Sequence, residues 1–98
     1  MNTNKIELTD KEKKIFFNLA NDTYEIDLND ISELEHLEYL GLGTGIKGEF
    51  GGYFDYELTD KAKAYVFENP KLKNPSILDD NNFWIELGST IISCLWKN

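Results

Sequence analysis

The chain has 98 residues, 41% hydrophobic and 13% aromatic, which gives one domain with one core and argues against general disorder. Its net charge is −8, all ten basic residues are lysines and arginine is absent, which disfavours nucleic acid and anionic membranes as partners. Cys94 is the single cysteine, so no internal disulfide forms, and the polar start from Met1 to Leu8 lacks the apolar core of a signal peptide, making the cytoplasm the expected location.

Thr9-Asp10-Lys11-Glu12 has the form of a capping box, and Ile15, Phe16, Leu19 and Ala20 repeat at helical spacing behind it. Asn21-Asp22 breaks that helix. Tyr24 to Leu28 alternates as a short strand would. Asn29 or Asp30 then caps a second helix with Ile31, Leu34, Leu37 and Leu40 on one side, ended by Gly41. Ile46 to Phe50 and Tyr53 to Leu58 read as two strands joined near Gly51-Gly52, with Phe54, Tyr56 and Leu58 on one face and Tyr53, Asp55 and Glu57 on the other. Thr59 caps a third helix with Ala62, Tyr65 and Val66 inward, and Pro70 ends it. Residues 71–82, polar and containing Pro75, read as an arm or linker. Phe83 to Trp96 is apolar nearly all round but too short for a spanning helix.

From Leu37 to Val66 the text runs Leu-Glu-Tyr-Leu-Gly-Leu, a glycine-rich loop, then Tyr-Glu-Leu-Thr-Asp-Lys-Ala-Lys-Ala-Tyr-Val. This resembles the second half of winged-helix domains of the MarR and PadR type, in which a two-stranded wing leads into a Leu-Thr-x-Lys-Gly helix start. Leu58-Thr59-Asp60-Lys61 matches that start, with Ala62 in place of the glycine. The resemblance implies an α+β fold: a small winged-helix-like domain over 1–70, helices packed with a two- or three-stranded antiparallel wing. The 71–82 arm and a C-terminal apolar helix over 83–98 follow it.

The usual task of such a fold is not legible here. Only Asn21 to Leu40 is available where winged-helix readers fit two helices. No basic residue lies between Lys14 and Lys47, while Asp22, Glu25, Asp27, Asp30, Glu33, Glu35 and Glu38 all do. A surface of that sign cannot gain the counterion-release term that supplies most DNA affinity. No DNA-binding residue of the family is carried over.

Three readings of the acidic stretch are open: a solvated face, a docking surface for a basic partner, or a metal site. Asp27-Leu28-Asn29-Asp30-Ile31 fails the calcium-loop pattern, so no metal is expected. Gly41 to Gly48 lacks the Gly-Lys-Ser/Thr of a phosphate cradle, and the leucines at 34, 37, 40 and 42 make one leucine-rich unit with no neighbours to stack on. His36 reads as a surface histidine on an acidic helix, with no nucleophile near it in sequence, and Cys94 as an inert thiol. The chain is therefore read as non-enzymatic and without cofactors. The wing carries Phe50, Tyr53, Phe54 and Tyr56, with Lys47 as its one cation.

Phe83 to Trp96 is open to three readings: a helix packed on the domain or across a homodimer, a membrane-associated segment, or a partner-folded tail. Residues expected to meet a partner are Glu25, Asp27, Asp30, Glu33, Glu35, Glu38 and Tyr53. Those expected at a dimer or membrane contact are Phe83, Trp84, Leu87, Ile91, Leu95 and Trp96. The function expected is a non-catalytic acidic protein-interaction module, in one version an inhibitor or decoy on a basic, nucleic-acid-binding partner such as small proteins of mobile elements supply. The alternatives are a DNA-binding regulator working through Lys11, Lys13, Lys14, Lys71 and Lys73, and a membrane-associated regulator using the tail.

Overall fold

The order of elements is α1 (Asp10–Ala20), α2 (Ile31–Tyr39), β1 (Gly43–Lys47), β2 (Tyr53–Leu58), α3 (Asp60–Glu68) and α4 (Asn81–Trp96). Single 3-10 turns stand at Leu28–Asp30, Pro70–Lys73 and Pro75–Asp79. This computed structural model describes residues 8–96, with the backbone alone for residues 88 and 90–96. The polar start over 1–7 and the side chains of Ile91, Cys94, Leu95 and Trp96 lie outside the described residues. The molecule is a small α+β domain of helices packed around one two-stranded antiparallel sheet.

Local signals set the helix ends. Thr9 Oγ1 accepts from the Glu12 amide at 3.1 Å, and Glu12 Oε1 accepts from the Thr9 amide at 2.9 Å, closing the capping box. Asp22 takes a left-handed φ of 59° just past α1. Gly41 does the same after α2 with φ 83°, its amide donating to Glu38 O and the Leu42 amide to Leu37 O, a Schellman closure. Thr59 Oγ1 accepts from the Ala62 amide to start α3 and donates to Gly41 O at 2.7 Å, tying both helix ends together. Between Tyr24 and Leu28 the backbone is irregular rather than a strand, and leads into the Leu28–Asp30 turn.

The hairpin departs from strict alternation. β1 starts at Gly43 and ends at Lys47, earlier than the Ile46–Phe50 expected, because Gly48 N donates to Gly52 O and closes the turn there. Register runs Gly45↔Tyr56, Ile46↔Asp55 and Lys47↔Tyr53, so Phe54 is an extra residue in a bulge. One extra residue puts two consecutive side chains on the same face. Tyr53, Tyr56 and Leu58 are therefore buried, while Phe54, Asp55 and Glu57 are exposed. The expected faces of Tyr53 and Phe54 are thus exchanged. The two buried rings meet edge-on at 5.0 Å, over the bare Gly43 and Gly45.

Phe16, Leu34, Leu37, Leu42, Leu72 and Leu87 are the largest fully buried side chains, drawn from almost every part of the fold. Each contributes about 1.5–3 kcal/mol by leaving water. Residues 71–82 do not form a free linker: Leu72 and Ile77 enter the core, and Asn21 Nδ2 donates to Leu72 O. Trp84 packs edge-on against Phe16 and Phe83, and its indole N–H donates to Ile77 O at 2.8 Å. The first turns of α4 thereby become part of the same core as α1.

Candidate interaction face

Leu34, Leu37 and Leu40 point α2 into the core, which leaves Glu35, His36, Glu38 and Tyr39 on its outer side. The carboxylates expected to meet a partner fall on this helix and on the chain entering it. Most have partners inside the molecule. Asp30 Oδ2 accepts from the Tyr24 hydroxyl at 2.7 Å, and its Oδ1 lies 3.3 Å from Lys11 Nζ. Lys11 also donates to Asn29 O and pairs with the Glu33 carboxylate at 3.4 Å. Glu35 pairs with Lys47 at 2.5 Å, and Glu38 accepts from the Tyr53 hydroxyl at 2.6 Å. Asp27 accepts from the Asn29 amide as a turn cap, and Glu25 is exposed.

Tyr24, Tyr53 and Lys11 bear the mark of this field. Burial, reinforced by the hydrogen bond to Asp30, pushes the Tyr24 phenol well above its ordinary range. Burial and the Glu38 carboxylate do the same to Tyr53. Desolvation works against the Lys11 charge, but Asp30 and Glu33 outweigh it and hold the ammonium above its usual value.

Tyr53 therefore serves the face from beneath, as a buried donor that orients Glu38, rather than as a contact residue. Lys47 lies 5.6 Å from the centre of the Tyr53 ring while it pairs with Glu35, so the hairpin's cation is engaged by the face it approaches. Glu35 and Lys47 are both about half exposed, so their pair adds at most about 1 kcal/mol to stability. Lys11 and Lys47 reach into a stretch of seven carboxylates and leave it strongly negative. Two further lysines are also engaged within the molecule: Lys13 faces Asp10 and Asn81, and Lys63 pairs with Glu57.

His36 is a structural partner that sequence reasoning misses. Its Nδ1 lies 2.6 Å from Oε2 of Glu12, a buried carboxylate that already caps α1. The capping box signals the backbone duty of Glu12, but nothing local signals a histidine 24 residues away. Among the residues expected at a dimer or membrane contact, Phe83, Trp84 and Leu87 are buried in the domain itself.

A groove of about 770 Å³ opens between the end of α1, β2, α3 and the Pro70–Lys73 turn. Its lining mixes Leu19, Val66 and Phe67 with Lys63 and Glu57, which pair with each other. Among the described residues, no group of three or more His, Cys, Asp or Glu stands ready to hold a metal ion, and no helix is long and apolar enough to cross a membrane. No protein-family model matches the chain, and no curated protein or solved structure gives a match.

Proposed function

We propose that the protein is a non-catalytic acidic interaction module, winged-helix-like in its order of α1, α2, hairpin and α3, that acts in the cytoplasm on a basic protein partner. One form of this role is a decoy that occupies the nucleic-acid groove of that partner. The observation that carries the reading is the fixed geometry of Asp30, just before α2, and of Glu33, Glu35 and Glu38 on it. Tyr24, Tyr53, Lys11 and Lys47 hold these four in place without cancelling their summed charge. A pre-organised anionic surface steers a cationic partner and loses little entropy on binding it.

The DNA-binding alternative gains nothing from Lys11 or Lys13, both of which face carboxylates. The test measures binding to random-sequence duplex DNA and to a panel of basic nucleic-acid-binding proteins, from about 50 to 200 mM salt. Binding to members of the protein panel that weakens in Glu25→Lys/Glu35→Lys supports the proposal. Duplex affinity that falls steeply with salt overturns it.

A further inference from the structure

We propose that the end of the hairpin is an anchor that inserts into an apolar pocket ringed by lysine or arginine on a partner protein. This deepens the reading above and rests on its claim that the partner is a protein of opposite sign. Phe50, at the turn, is 99% exposed, and Phe54 and Ile46 beside it are 68% and 52% exposed. The bulge turns Phe54 outward on the face that carries Ile46, and the Phe54 ring lies over Gly48, 3.5 Å from where a side chain there would begin. Leu28, 73% exposed, lies against the other side of the turn, with its Cδ2 2.8 Å from the corresponding point on Gly52. Four large apolar side chains thus share one protruding end.

None of them is needed there by the fold. The hairpin already has its inward set in Tyr53, Tyr56 and Leu58, and the turn is closed by backbone bonds between Gly48 and Gly52 and between Gly51 and Gly48. Exposed aromatic side chains of this kind are the usual anchors of protein interfaces, because burying them yields much and orders little.

Charge selects the occupant. Glu49 lies in the turn and Asp55 opposite Ile46, while Lys47 is held by Glu35. Carboxylates beside the apolar end repel phosphate, whether in a duplex or on an anionic membrane. A second copy docking end to end would set Glu49 and Asp55 against their own counterparts. A pocket with a cationic rim satisfies both the rings and the carboxylates.

The experiment selects random displayed peptides on the 98-residue chain and removes those that also bind Phe50→Ser/Phe54→Ser. Both positions are exposed, and circular dichroism verifies that the variant folds. The surviving peptides should carry an aromatic or aliphatic anchor within a few residues of lysine or arginine. Their affinity should fall at least about tenfold in the double variant. Survivors that are acidic or uncharged, or the absence of any survivor, overturn the proposal. So does Phe50-dependent flotation with vesicles of phosphatidylcholine and phosphatidylserine, or Phe50-dependent self-association. Glu25→Lys/Glu35→Lys separates the two claims. If no peptide survives and the removed peptides lose affinity for this variant, the anchor falls and the acidic-face reading stands. If the removed peptides ignore this variant as well, both fall.

Discussion

Glu12 Oε2 lies 2.6 Å from His36 Nδ1 while Oε1 of the same carboxylate accepts from the Thr9 amide, so one buried side chain fixes the start of α1 and its seat against α2. Glu12→Ala removes both contacts and should cost about 1–3 kcal/mol, from the lost cap and the lost buried hydrogen bond. Glu12→Gln keeps an oxygen for the Thr9 amide and should cost less. Urea denaturation of the two variants separates the contacts: the loss in Glu12→Gln reports the carboxylate's pairing with His36, and the further loss in Glu12→Ala reports the Thr9 cap. A Glu12→Gln variant as stable as the original chain would mean that the pairing with His36 contributes nothing.

The bulged register makes a second prediction. A Cβ on Gly45 would lie 2.5 Å from the Asp55 carbonyl and 2.6 Å from the Tyr56 ring, and the backbone contact cannot be relieved by a rotamer change. Gly45→Ala should destabilise by about 1–3 kcal/mol. Gly51→Ala, with nothing within 4 Å, meets only the strain of a φ of 91° and should cost about 1 kcal/mol. Thermal melting of both variants checks the order.

Stability should fall in alkali. Tyr24, Tyr53 and Tyr56 all have phenols raised above their ordinary value of 10.0, by burial first. A group that holds its proton more tightly when folded contributes stability that is complete below the unfolded value and fades as pH climbs toward the folded one. The urea midpoint should therefore hold to about pH 10 and drop above it. Tyr53→Phe should flatten the drop, although it leaves Glu38 without its donor. A midpoint insensitive to pH in this range would contradict the hydroxyl geometry.

Residues 71–82 and the first turns of α4 belong to the core, so a chain ending at residue 70 should fail to fold. Leu72→Ala in the full chain should cost about 2–5 kcal/mol. Urea denaturation of that variant, and the circular dichroism of the shortened chain, test both statements.

Chain-local chemistry is legible in the sequence. The Thr9–Glu12 box, the Gly41 stop and the Thr59 cap each lie within a few residues, and each is found where its residues place it. Pairing across distance is what the sequence does not carry. Strict alternation places Phe54 inside and Tyr53 outside, because the bulge beside Ile46 and Lys47 is decided by both strands together. Leu72 and Ile77 stand five apart in polar surroundings, and 3-10 turns show no apolar stripe to mark their burial. The carboxylates of α2 are visible as charges, but not as charges held by Tyr24, Tyr53, Lys11 and Lys47.

Trp84 sits edge-on between Phe16 and Phe83 with its N–H committed to a carbonyl, which makes it a built-in optical gauge of the domain. Its emission should be blue in the native protein and shift red when α4 leaves α1. In a Trp96→Phe background that colour change would time the detachment of the last helix apart from the melting of the hairpin.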